Sequence, residues 1–379
     1  MEPRGRRRKQ QGAAEDKENT AGTAPPPRKR PRCTERKALA ELPTAPTANN
    51  ASAAPMGAPS KPMTRAAARE AAAAAVEEEA RRREGSAIAA RPAASRLTDA
   101  GAAQASVGPY VADIDGYLRS LEVEQLRRPR DDYMVAMQKD ISATMRGILV
   151  DWLVDVVDEF NLLVDTLYLA VSYIDRFLTA SVITRDRLQL LGVASLFVAA
   201  KYEEIHVPKL DKFSDITDGT YTNQQVVKME ADILKYLNFQ MGSPTIRTFL
   251  LFLISCRGGN CASAKRLELM CCYLAELSLL DYDCIRFLPS AIVAACLFLA
   301  RFTISPKIRP WNLTLQEKTG YKVSDLSSCI LRIHDLQLGR HYSNLKAIRS
   351  KYSERKFGCV SMMASPEEIP VSLLKDLDK

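Results

Sequence analysis

Met145-Arg146-Gly147-Ile148-Leu149-Val150-Asp151-Trp152-Leu153-Val154-Asp155-Val156-Val157-Asp158-Glu159-Phe160 is the stretch that decides the fold. On a helical wheel its apolar residues cover roughly 240° of the circumference, against about 100° for an ordinary surface helix. Such a helix is surrounded by other elements. Asp151, Asp155 and Asp158 fill the remaining wedge. Arg146 points into the middle of the apolar arc, where an unpaired charge is costly, so it needs a partner. Asp175, in Tyr173-Ile174-Asp175-Arg176-Phe177, is the best candidate, and the pair reads as structural. Met145, Ile148 and Trp152 lie at the edge of the arc, against Asp155. An apolar edge bordered by acid suits a basic-hydrophobic peptide. The wheel by itself favours the plainer reading, a helix buried in a bundle.

Outward from this stretch the apolar period stays at three to four from Tyr110 onward, with no sustained strand alternation. Helices are expected over 109–121, 142–160, 165–179, 185–202, 223–237, 244–255, 263–279, 288–303 and 323–338. Residue classes also repeat at an offset of 100. Leu167, Tyr173 and Phe177 face Leu267, Tyr273 and Leu277; Val193, Ala200 and Tyr202 face Val293, Ala300 and Phe302; Met229 and Ile233 face Cys329 and Ile333. Helical phase matches without a gap. The economical reading is all-α, with two tandem five-helix domains, a leading helix and a tail. The boundaries are 1–100 for the tail, 109–240 for the first domain with its leading helix, 241–345 for the second, and 346–379 for a C-terminal extension.

The charge is unevenly spread. The whole chain of 379 residues is formally +8, yet residues 1–100 alone hold 20 Lys+Arg against 12 Asp+Glu, so the remainder is net zero. No aromatic residue precedes Tyr110. A tail so poor in large apolar side chains cannot offset its ordering entropy, and disorder is expected. Residues 65–83, Ala-rich with Glu77-Glu78-Glu79 ahead of Arg81-Arg82-Arg83, are expected to form a transient helix at most. Arg6-Arg7-Arg8-Lys9 and Arg28-Lys29-Arg30-Pro31-Arg32 are basic clusters of the nuclear-import type. Lys17-Glu18-Asn19 is a degradation tripeptide of the KEN-box type. Arg36 and Leu39 fit the start of a destruction box, but Thr44 stands where that pattern usually ends in Asn.

Several classes are excluded. The longest apolar runs, such as 291–300, are about half the roughly 20 residues a membrane helix needs. The basic start has no apolar segment behind it, so no secretory signal is expected. Nine cysteines, an odd count, mostly sit in apolar helical patterns, which suggests a reduced intracellular protein. Cys256, Cys261, Cys271 and Cys272 fit no zinc spacing, and neither metal nor cofactor is expected. There is no Gly-rich phosphate loop, no His-Glu-x-x-His and no Gly-x-Ser-x-Gly, so no enzyme activity is expected.

Three motifs in order carry a family resemblance. Met145-Arg146-Gly147-Ile148-Leu149-Val150-Asp151-Trp152-Leu153 resembles the signature of the cyclin family. Leu167-Tyr168-Leu169 to Tyr173-Ile174-Asp175-Arg176-Phe177-Leu178 continues it, and Ala199-Ala200-Lys201-Tyr202-Glu203-Glu204 completes it. The resemblance covers about 109–345 and is to A-type mitotic cyclins of the plant kind, with Gly147 where animal members commonly have Ala.

It implies a regulatory subunit of a cyclin-dependent serine/threonine kinase, controlling progression through S phase and G2/M. By motif, Lys201 and Glu230 would contact the kinase, with Tyr202 and Phe239 adding apolar area. Met145, Ile148, Leu149, Trp152, Leu188 and Gln189 would form a docking site for Arg-x-Leu peptides of substrates and inhibitors, with Asp155 attracting the Arg. A ubiquitin ligase acting on the tail, and location in the nucleus and also the cytoplasm, are further expectations. The competing class is a double-cyclin-box transcription factor of the general-initiation type. It would need basic helices, whereas residues 101–379 are net zero.

Overall fold

A computed structural model describes residues 110–255 and 262–376. The tail, with its basic clusters, Lys17-Glu18-Asn19, Arg36, Leu39 and the segment 65–83, lies outside the described residues, as do Cys256 and Cys261. Among the described residues there are helices and 3-10 turns and no strand.

The first repeat is α3 (Ala143–Glu159), α4 (Val164–Ala180), α5 (Leu188–Glu203), α6 (Leu210–Asp215) and α7 (Asn223–Tyr236). The second is α8 (Ile246–Ser255), α9 (Ala262–Leu280), α10 (Pro289–Ile304), α11 (Leu313–Thr319) and α12 (Val323–Gln337). Ahead of them stand α1 (Val111–Glu122) and the single turn α2 (Tyr133–Ala136); behind them comes α13 (Ala347–Ser353). The short helices α6 and α11 complete the five of each repeat.

The centre of each repeat is the helix whose sequence has no polar face. Every residue of α5 from Leu188 to Ala200 is buried, as is nearly all of α10. Helices that lack an amphipathic stripe are buried on all sides. Small residues let neighbours come close. Gly192 lies so near α3 that an added Cβ would sit 2.7 Å from Leu149 Cδ1. Cys271, Cys284, Cys296 and Cys329 pack in the second repeat as small hydrophobes.

The helix that decides the fold also joins the repeats. Arg146 on α3 is fully buried and makes a two-pronged ion pair with Asp175 on α4, at 2.6 and 2.7 Å. Its Nη1 donates to the carbonyl of Leu279, on α9 of the second repeat, at 2.7 Å. Tyr133 Oη donates to the same carboxylate at 2.8 Å. Burial would lower the guanidinium pKa, but the Asp175 charge and hydrogen bonds outweigh it and the net shift is upward.

The leading helix precedes the first repeat in sequence but anchors on the second. Arg119 Nη2 donates to the Thr319 carbonyl at 2.8 Å, and buried Glu122 accepts from both the hydroxyl and the N–H of Ser290. The segment after it returns to the linker: Arg127 donates to the Gly242 carbonyl, and Arg176 of α4 to the Leu126 carbonyl.

Candidate functional site

Two surfaces of the first repeat hold the residues singled out by sequence. One is at the C-terminal end of α5. Lys201 sits in the last turn of α5, where a cation meets the negative end of the helix dipole. Glu230 is in the middle of α7, whose start is fixed by a reciprocal capping box: Thr222 accepts from Gln225 N–H, and Gln225 Oε1 accepts from Thr222 N–H at 2.8 Å. The two helices bring Lys201 Nζ to 2.7 Å from Glu230 Oε1, with side-chain exposures of 44% and 14%. The ammonium also lies 3.9 Å from the centre of the Phe197 ring. An exposed pair of this kind adds about 0–1 kcal/mol to stability. Folding alone gives it little reason to exist.

Two aromatic side chains near the ends of these helices are open to solvent. Tyr202 is 46% exposed and Phe239 70%. Phe239 follows Asn238, and both have positive φ, 49° and 57°. Asn tolerates the left-handed region, but a bulky aromatic there is an outlier. The conformation is held by bonds that close the helix end, Phe239 N–H to Leu234 O at 3.0 Å and Asn238 N–H to Lys235 O at 3.1 Å. The cost is borne by a residue whose ring goes into solvent, the pattern expected at functional sites. Gly242 serves the same surface. A Cβ there would lie 2.6 Å from Tyr202 Oη, so a larger residue would displace the tyrosine hydroxyl from its place over the linker.

Sequence reasoning did not single out other exposed apolar residues. Ile205, just past α5, is largely exposed. On α1, Tyr110, Ile114 and Tyr117 form an exposed stripe. Their spacing of four and three was visible in the sequence, but the wheel cannot say which stripe of a helix stays in water.

The second surface is the edge of α3. Met145, Ile148 and Trp152 are half-buried, packed on the core with one side open, and Asp155 is exposed. Leu149 and Leu188 are fully buried and Gln189 nearly so. Leu149 packs towards Gly192 and Leu188 opens the all-buried α5, so both underlie the edge.

The first repeat differs here from the second. Arg301 stands where Lys201 does, but Ile330 replaces Glu230 and Phe302 replaces Tyr202, and both are buried. Among the described residues, Lys201 and Glu230 with Tyr202 therefore have no like-for-like counterpart at the offset of 100.

Comparison with known proteins agrees with this tandem arrangement. Residues 113–242 match the family "Cyclin, N-terminal domain" and residues 244–366 match "Cyclin, C-terminal domain". The chain is 57% identical over 269 residues to Cyclin-A3-2 of Oryza sativa subsp. japonica, covering 71% of this chain and 70% of that one. It is 51% identical over 268 residues to the G2/mitotic-specific cyclin C13-1 of Daucus carota, covering 71% and 79%. Among solved structures, a viral cyclin from herpesvirus saimiri superposes with a TM-score of 0.51 at 19% identity, covering 60% of this chain and 96% of that chain, a likeness of fold alone. With both domains in tandem and relatives of this kind, the chain belongs to the cyclin family of kinase regulatory subunits, and within it to the A-type cyclins of the plant kind.

Proposed function

We propose that this chain binds and activates a cyclin-dependent serine/threonine kinase through its first repeat and controls cell-cycle progression. The observation that carries the reading is the Lys201–Glu230 pair at 2.7 Å, its Lys open to solvent, on the helices next to whose ends Tyr202 and Phe239 are exposed. Aromatic area around a few placed charges is the composition of a protein-binding core. A kinase needs the helix that bears the Glu partner of its ATP-holding Lys set in place, together with its activation loop. A rigid face pressed beside that helix does this without chemistry of its own. Net-zero charge outside the tail agrees with recognition by contact area and not by long-range attraction.

The α3 edge is proposed as the docking site for Arg-x-Leu segments of substrates and inhibitors. Met145, Ile148 and Trp152 would take the Leu and Asp155 the Arg. The tail is proposed to carry nuclear import at Arg28, Lys29, Arg30 and Arg32. It is also proposed to carry mitotic destruction by a ubiquitin ligase through Lys17, Glu18, Asn19, Arg36 and Leu39.

The deciding experiment is co-purification of the kinase with Lys201→Ala/Glu230→Ala. Loss of the kinase with far-UV helicity retained is expected; undiminished binding would reject these two contacts. Trp152→Ala is expected to slow phosphorylation of Arg-x-Leu substrates only. Deleting residues 1–45 is expected to prolong the protein's life through mitosis.

A further inference from the structure

The surface of the second repeat that corresponds to the kinase-binding surface of the first is not open. The C-terminal extension lies across it. After α13 the chain runs back along α10 and α12, from 363 to 376. Ser365 meets Thr303 at 3.2 Å, the Pro366 carbonyl accepts from His334 Nε2 at 2.9 Å, and the Glu367 carbonyl accepts from Arg340 at 2.9 Å. At the far end Asp376 accepts from both the N–H and the hydroxyl of Ser324, each at 3.0 Å, in the first turn of α12. Between these points Ile369 is buried, and Leu373 and Leu374 pack on the core.

By the offset of 100, Thr303 corresponds to Glu203, His334 to Leu234, Arg340 to Gln240 and Ser324 to Gln224. All four anchors therefore fall on the counterparts of α5, α7 and the turn after α7. Burial differs at one pair: Tyr202 is 46% exposed, whereas its counterpart Phe302 is 2% exposed, edge-on to His334, the residue that donates to the Pro366 carbonyl. The segment carries Pro366 and Pro370 and closes in a 3-10 turn at Val371–Leu373; it is acidic at Glu367, Glu368 and Asp376, and apolar at Ile369, Val371, Leu373 and Leu374.

We propose that the outer face of α10 and α12 is a second peptide-binding surface, built for an acidic-apolar segment, and that residues 363–376 are its occupant in cis. The arrangement leaves one face of the molecule open to the kinase and keeps the other closed. The comparison with a kinase-binding face rests on the function proposed above; the recognition of the segment does not.

The full chain carrying Ile369→Asp and Leu374→Asp lifts the segment and leaves the face intact. The probe is a fluorescent synthetic peptide of residues 364–376. Saturable anisotropy binding to this variant is expected, at least tenfold tighter than to the parent chain, whose site is filled. Hydrogen exchange should show loss of protection at 364–376 with α10 and α12 unchanged. A lifted segment without peptide binding overturns the proposal. If the variant loses helicity, a chain ending after Met363 takes its place. Loss of helicity there too makes the segment part of the folded core and equally overturns it. Kinase co-purification is read in parallel. Its absence from the parent and variant alike would count against the role of the first repeat, while the peptide result stands by itself.

Discussion

Arg146 and Asp175 take opposite charges out of water, and neither is tolerable there alone. Asp175→Ala strands the guanidinium and also frees Tyr133 Oη, so it is expected to lower the unfolding free energy by about 3–5 kcal/mol, measured by urea denaturation. A loss below 1 kcal/mol would mean that the guanidinium finds water. Asp151, on the same helix, gives a pH-dependent effect. Its carboxyl is pushed up to about 6, mainly by burial. Asp155 adds repulsion, while the N–H groups of Ala347 and Lys346 pull the other way. A folded-state value above the ordinary carboxylate value of about 3.9 means the folded protein holds this proton more tightly than the unfolded chain. The stabilisation is complete below about 4 and is lost as pH rises through about 6. Asp151→Asn keeps a carbonyl acceptor for Ala347 N–H and removes the charge. It is expected to raise the urea midpoint at pH 7 and flatten its pH dependence across that window; an unchanged slope would show that another group titrates.

At the level of elements, boundaries of the long helices were legible because a core-facing helix of four turns repeats its apolar signal several times. Helices α2, α6 and α13 were not, since four to seven residues make less than two turns and no period can be counted. For α11 the signals were present in another form. Asn312 caps its start, accepting from Leu315 N–H at 2.9 Å, and Gly320 ends it with φ at 74°. The cap of α7 bears on function, because it sets the helix that carries Glu230. Thr222→Ala is expected to cost about 1 kcal/mol and to increase hydrogen exchange at the first turn of α7, with protection elsewhere unchanged. The attachment of α13 depends on charge. Lys351 and Tyr352 both reach Glu276, a carboxylate wholly within the second repeat. Lys351→Met leaves that charge with one hydroxyl, and a destabilisation of about 3–5 kcal/mol is expected, with exchange in α13 accelerated first.

On the scale of the whole molecule, the two repeats are tied at several points: Arg146 to the Leu279 carbonyl, α1 to Thr319 and Ser290, and Asp151 to the start of α13. They are expected to unfold together. The chain's two tryptophans divide neatly, Trp152 in the first repeat and Trp311 in the second. Single-tryptophan chains made by Trp152→Phe and Trp311→Phe are therefore expected to share one urea midpoint by fluorescence; separated midpoints would show that the repeats fold independently. The sequence by itself determined the all-helical class, the doubled repeat, the buried guanidinium and its partner. Those follow from periodicity and from the cost of an unpaired charge, both local or pairwise rules. Exposure was another matter. Leu149 and Trp152 are close neighbours on one apolar arc, and the wheel treats them alike. Leu149 is fully buried where Gly192 of α5 comes against it, while Trp152 stays half open. The same holds for Tyr202 and Phe302, equivalent in the repeat yet opposite in burial: Phe302 lies edge-on to His334, which in turn bonds a segment some sixty residues downstream of Phe302. Which surface stays in water depends on contacts between residues far apart in the chain, and only the tertiary structure brings them together.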